Sequence, residues 1–385
     1  MAFSFICIIN DTMKKIFFMA LCLAAAACTS VKEVELIPTS SFEKEIDGKQ
    51  VSLYTLAAGD LTMQVTNFGG RVVTLWTPDK DGNYEDIVLG YNNIETYLNN
   101  PGERFLGAVV GPYANRIANG TYTIGEETYT FPQNNNGQTL HGGLKGLDLV
   151  VWDVEDVTDS TLVLSYLHED GAEGMPGNLK IVMTYALTSD NEFKVDYLAE
   201  TDKSTHVNIS HHSFFNLKGE GNGTINDHIL YINASNTTPV NAALIPSGEI
   251  ADVTGTPFDF RQAKAIGQDL EVENEQLANG GGYDHNWILD RQTADQMELA
   301  ASVYEPASGR FMEVYTDQPA LQFYGGNFFD GTTEGKYGKA LRYRESMALE
   351  TQKYPDTPNH SNFPSTLLNP GETYTHSCVY RFSVK

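Results

Sequence analysis

The sequence predicts an all-β fold, a large antiparallel β-sandwich with few short helices. Three observations lead there. β-branched and aromatic runs of four to eleven residues recur along the chain, turn dipeptides separate them, and helical periodicity is nearly absent between them. Strands that follow one another without crossover helices pair antiparallel, and such strands close into sandwiches or barrels.

The elements follow in order. Runs 61–66 and 71–77 flank Gly69-Gly70 and end near Asp81-Gly82. Asn119-Gly120 opens the run 121–131. Runs 161–168, 180–187 and 192–201 come next, the last two joined through Asp190-Asn191. Then come 228–232, 299–304, 310–316, 321–324 and 344–351, and Asn369-Pro370-Gly371 leads into 374–382. The best helical candidates are 94–98 and 262–266, each a turn or two. No fixed-period repeat and no linker interrupt residues 49–385, so they read as one domain.

The N-terminus reads differently. Met13-Lys14-Lys15 precedes an apolar run, 16–27, that ends in Ala25-Ala26-Ala27-Cys28. The run is too short to span a bilayer, which needs about 20 apolar residues, and it has the order of a secretory signal. The small residues before Cys28 resemble a bacterial lipoprotein cleavage box. The expectation is a signal peptide over 1–27 (its start at Met13 if 1–12 are untranslated), a lipidated Cys28, and a tether over 28–48. The product would be exported, facing the periplasm or the cell surface, and would touch a membrane only through that anchor. Of four cysteines only Cys378 then belongs to the body, which leaves no internal disulfide and no Cys-pair metal knuckle.

Charge narrows the function. Fifty Asp and Glu oppose 25 Lys and Arg, a net −25. Nucleic acid requires Lys/Arg patches, and anionic lipid repels such a surface. A neutral ligand is compatible. There is no His-Glu-x-x-His, no Gly-x-Ser-x-Gly elbow and no dinucleotide fingerprint. What remains is acid–base chemistry by His and carboxylate. His141 lies in the Gly- and Asn-rich loop 133–146. His211-His212 ends a β-rich run, and Asp284-His285 closes the loop 279–286. On a strand the two adjacent histidines face opposite ways. Read alone, Glu350 suits an exposed strand face, Asp284 a turn cap, and Arg116 a surface or half-buried cation. Phe214, Phe215, Tyr324 and Phe328 read as core, save one that could stack on a ligand.

Taken together, Asn67-Phe68-Gly69-Gly70, the segment 111–120 (GPYANRIANG), Leu140-His141-Gly142-Gly143, the segment 212–217 (HSFFNL), Tyr283-Asp284-His285-Asn286, Tyr324-Gly325-Gly326-Asn327 and the segment 348–356 (ALETQKYPD) resemble the aldose 1-epimerase (galactose mutarotase) family. The resemblance spans nearly the whole body. It implies the family's β-supersandwich and interconversion of the α and β anomers of free aldohexoses, without cofactor or metal. It places the catalytic acid on His212 and the catalytic base on Glu350. It places substrate contacts on Asn115, Arg116, His141 and Asp284. Where the family usually has Asn before the acid, this chain has His211. The acidic surplus of the chain would favour a protonated His212, and a carboxylate of ordinary acidity would serve as the base. Two other activities are compatible with the same fold. One is a sugar-6-phosphate epimerase, using Arg104 and Lys145 beside Arg116. The other is a non-catalytic carbohydrate-binding lipoprotein.

Overall fold

The computed structural model describes residues 34–294 and 296–385. The expected signal segment and Cys28 lie outside them. Among the described residues strands dominate, and two short α-helices, Ile94–Asn99 and Glu275–Gly280, interrupt them. A nine-stranded antiparallel sheet runs, by spatial neighbour, through Asp153–Val157, Thr161–His168, Leu179–Leu187, Glu192–Thr201, Tyr374–Val384, Arg310–Thr316, Glu298–Tyr304, Ile229–Ile232 and Lys264–Ala265. A six-stranded sheet runs through Phe214–Phe215, Met347–Gln352, Ala320–Tyr324, Asp284–Leu289, Ala234–Thr238 and Ala251–Asp252. A four-stranded meander covers Leu53–Ala58 to Tyr84–Asp86.

The burial patterns explain the layering. Leu179–Leu187 alternates buried and more exposed residues, as a strand does with one face on the core and one toward water. Its buried face meets the other sheets. Ile181 and Met183 of the large sheet, Met63 and Val65 of the meander, and Leu321 and Leu349 of the six-stranded sheet belong to one apolar cluster. Met347–Gln352 is buried on both faces. Met347 and Leu349 join that cluster, which leaves Glu350 on the opposite face by the two-residue period of a strand.

Three expectations change. The tether ends earlier than residue 48: Ile37 and Phe42 are buried, and Gln64 exchanges hydrogen bonds with the Ile37 backbone in both directions at 2.9 Å. Apolar side chains in a short segment found enough surface to dock on. Of the expected helix 262–266, residues 262–265 are not helical; Lys264–Ala265 pairs with Ile229 and Leu230, and Ile266 begins a 3₁₀ helix, Ile266–Asp269. The run 279–286 is not one loop. It contains the end of Glu275–Gly280, a helix capped by the Asn274 side chain, and the start of the strand Asp284–Leu289.

Candidate active site

Two strand ends bring the central pair together. Ser210–His212 pairs with Ala108–Val110, and two residues later Phe214 pairs instead with Ala348. The change of partner carries His212 across to the strand that holds Glu350. His212 Nε2 and Glu350 Oε1 lie 3.4 Å apart, both side chains nearly inaccessible. Pleating sends His211 to the far side, where Nδ1 meets the Tyr185 hydroxyl at 3.2 Å and Nε2 meets Ser213 Oγ at 2.6 Å. The residue that departs from the family pattern is thus a hydrogen-bonded core group, as the alternation requires.

The remaining candidates close around this pair. Asn115 and His141 both adopt left-handed backbone conformations, at φ 62° and 51°. They hold one another there: His141 N donates to Asn115 O and Asn115 N donates to His141 Nδ1, each at 3.0 Å. A left-handed residue other than glycine costs about 1–3 kcal/mol and persists only where its surroundings enforce it. Gly142 completes the turn, since a Cβ there would sit 2.0 Å from Gly111 O. Arg116 Nε reaches Asn135 Oδ1 at 3.3 Å, and Gln322, opposite Glu350 in the sheet register, donates to Asp284 Oδ1 at 2.7 Å. Asp356 and Tyr113 tie the segment 111–120 to the segment after Glu350. Asp356 Oδ1 accepts from Ala118 N, and Tyr113 Oη bridges Tyr354 O and Thr357 N. All six residues line a cavity of about 310 Å³, within the usual range for a small-molecule site.

Burial dominates the electrostatics. It pushes Glu350 well above the ordinary carboxylate range; Asp284 adds to the rise and Arg116 opposes it. It pushes His212 down to about 3. The sequence-based picture of an ordinary carboxylate beside a charged imidazole is therefore corrected. Removal from water acts over a few ångströms with far more force than the net charge of the chain. Both shifts act in one direction: they favour a single proton in the pair, on the carboxyl in preference to the imidazole. Glu350 Oε2 and His212 Nδ1 have no protein hydrogen-bond partner. Buried polar atoms left in that condition mark places where a ligand completes the bonding.

Ligand atoms of His141, His212 and Glu350 lie within 4.8 Å of one another, a spacing that would suit a metal ion. The protonation does not suit one. His141 Nδ1 accepts the Asn115 N–H, so its proton sits on Nε2. A nitrogen that carries a proton has no lone pair for an ion. This donor set presents an N–H to the cavity instead.

Of the three cations of the phosphate-binding alternative, Arg104 and Arg116 line the cavity and Lys145 does not. Lys145 is exposed and paired with Asp47, outside the cavity. Arg104 lines the cavity but is clamped on Asp148 by two bonds of 2.7 and 2.9 Å. Sequence reasoning did not pick out Glu103, Phe105, Asn134, Asn135 or Gln322, although the Asn run in the loop 133–146 was a signal for two of them. Of the four aromatics, Phe214 and Phe215 are fully buried. Phe328 is 61% exposed, stacked on Tyr324 in the cavity wall.

Residues 52–381 match the family model described as aldose 1-epimerase. The chain belongs to the aldose 1-epimerase family. Bovine galactose mutarotase is 40% identical over 334 residues, 87% of this chain and 94% of that protein. The aldose 1-epimerase of Escherichia coli K12 is 36% identical over 340 residues, 87% and 96% of the two chains. Among solved structures, the aldose epimerase homologue from C. elegans superposes with a TM-score of 0.80 at 28% identity, covering 87% of this chain and 99% of its own. Galactose 1-epimerase from Lactobacillus acidophilus gives 0.76 at 28% identity, covering 89% and 97%. This member of the aldose 1-epimerase family thus has the β-supersandwich expected from the sequence.

Proposed function

We propose that this protein is an isomerase, an aldose 1-epimerase that interconverts the anomers of free aldohexoses. The observation that carries the assignment is the His212–Glu350 pair, 3.4 Å apart and buried at the cavity wall. Opening the ring removes the O1 proton, forms the C1=O1 bond, breaks C1–O5 and places a proton on O5. One group must accept and another must donate. Glu350 takes the O1 proton and His212 gives one to O5. Rotation about C1–C2 turns the other aldehyde face toward O5, and reclosure reverses both transfers, so no co-reactant is consumed. Sugar hydroxyls donating to Glu350 favour its ionised form, which shifts the shared proton onto His212 without exchange with solvent. The His141 Nε2–H and the Arg116 guanidinium donate to the sugar, and Asn115 and Asp284 bind its hydroxyls.

Polarimetry of freshly dissolved α-glucose or α-galactose tests the assignment. Equilibration faster than in buffer is expected, and sugar binding without acceleration would instead establish a non-catalytic binding protein. The shared proton also fixes the pH profile. Activity falls only where the pair gains a second proton, toward the low value of His212, or loses its one proton, above the raised value of Glu350. A plateau of kcat reaching from neutrality down to about pH 5 is expected; a steep acid limb centred near 6.5, the ordinary imidazole value, would contradict it.

We also infer export as a lipoprotein anchored at Cys28, supported by Lys14-Lys15, the apolar run and the small residues before the cysteine. Cells grown with an alkyne fatty acid should label the protein, and Cys28→Ser should abolish the label. A labelled Cys28→Ser variant would remove the assignment.

A further inference from the structure

Beside the catalytic pair, the cavity wall carries a carboxyl that the mechanism does not use. Residues 102–105 run inward from an exposed Gly102 to a buried Phe105, whose ring centroid lies 4.6 Å from that of His141 and 6.0 Å from that of His212. Glu103 lies between them and lines the cavity. Its Oε1 accepts from Phe105 N at 2.8 Å, and its backbone carbonyl accepts from the Tyr91 hydroxyl at 3.3 Å. The backbone on both sides of Glu103 is therefore fixed, and Oε2 is left to accept from a ligand.

The charges behind that wall do not balance without it. Arg71 is fully buried and lies 3.6 Å from Asp148, and Arg104 is clamped on the same carboxylate. Two guanidiniums share one aspartate, which leaves one positive charge beside the cavity. An arginine pair with a free charge is what a phosphate or carboxylate group on a sugar would seek.

Resting on the epimerase reading, we propose that Glu103 sets the charge specificity of the site: its carboxylate accepts a sugar hydroxyl and cancels the surplus charge of Arg71, Arg104 and Asp148, so that sugars bearing an anionic group beside Glu103 are kept out. The Glu103 carboxyl is pushed up to about 7, by burial first and by Asp148, against the Phe105 N–H and the charges of Arg71 and Arg104. Tyr91, Tyr324 and Glu350 also face it. The exclusion therefore strengthens as pH rises through neutrality.

Glu103→Gln keeps the shape and removes the charge. Mutarotation kinetics and calorimetric titration are run for glucose and for glucuronate, which stays ionised from pH 5.5 to 8.5. For the variant, KM and Kd should rise for glucose and fall for glucuronate, changing the preference between them by about tenfold or more at pH 8.5. The preference of the natural protein should grow with pH, and that of the variant should stay flat. A merely structural role would move both sugars in the same direction. Parallel changes, or none, would overturn the proposal. Failure of the natural protein to speed glucose equilibration would overturn the epimerase reading alone, because the titrations still compare the two sugars.

Discussion

Glu350→Gln should lower kcat by about 10²–10⁴-fold, the usual contribution of a positioned acid or base, while sugar still binds. The amide keeps the volume and can hydrogen-bond, but it cannot take the O1 proton. The environment strengthens the expectation. Glu350 is buried, opposite Gln322 in the register and 3.4 Å from His212. Asp284 and Glu103 are the other carboxyls of the cavity wall, and each has one oxygen engaged, Asp284 Oδ1 by Gln322 and Glu103 Oε1 by Phe105 N. NMR saturation transfer between anomers, with calorimetry for binding, separates the two effects. A variant with full activity would take the role of base away from Glu350.

The largest expected loss of stability lies outside the cavity, at Lys336. Its ammonium is fully buried and donates to Asp86 Oδ2 at 2.6 Å, to the Val88 carbonyl at 2.8 Å and to the Val73 carbonyl, with Glu220 Oε2 3.2 Å away. These bonds fasten the segment 325–346, which carries Phe328 at the cavity wall, to the meander. Lys336→Met removes one partner and strands two carboxylates, a change that typically costs about 3–5 kcal/mol. Burial already pushes Glu220 up to about 7 with the lysine present. Without the lysine, Glu220 rises further above its unfolded value. A carboxyl raised in the folded state is neutral in both states at low pH and penalises folding as pH climbs from its unfolded toward its folded value. The loss should therefore be larger at pH 8 than at pH 5. Urea unfolding at the two pH values measures it, and equal losses would show that the carboxylates are not the source.

Much of this was legible in the chain. Strands 161–168, 192–201 and 310–316 coincide with the observed ones, because alternation of apolar and polar residues on a half-buried sheet is a local signal. The strand Leu53–Ala58 was not legible. Its buried residues, Leu53 and Leu56, stand three apart, so no alternation marks it. Two-residue pairings such as Arg116–Ile117 were not legible either. Strands that short are defined by their partner, not by their own composition. His212, Glu350, Arg116, Asn115, His141 and Asp284 were placed through the ordered motifs they belong to. Glu103 and Gln322 were not, since a lone carboxyl or amide in an irregular or apolar run carries no pattern.

By itself, then, the sequence determined an all-β chain, a net charge compatible with a neutral ligand, and the residue types able to move a proton. Those properties follow from local periodicity, total charge and side-chain chemistry. Only the tertiary structure decided which protons are where. Burial raises Glu350 and lowers His212, and the Asn115 N–H locks the tautomer of His141. Desolvation and hydrogen-bond direction depend on groups far apart in the chain, and no spacing along it reports them.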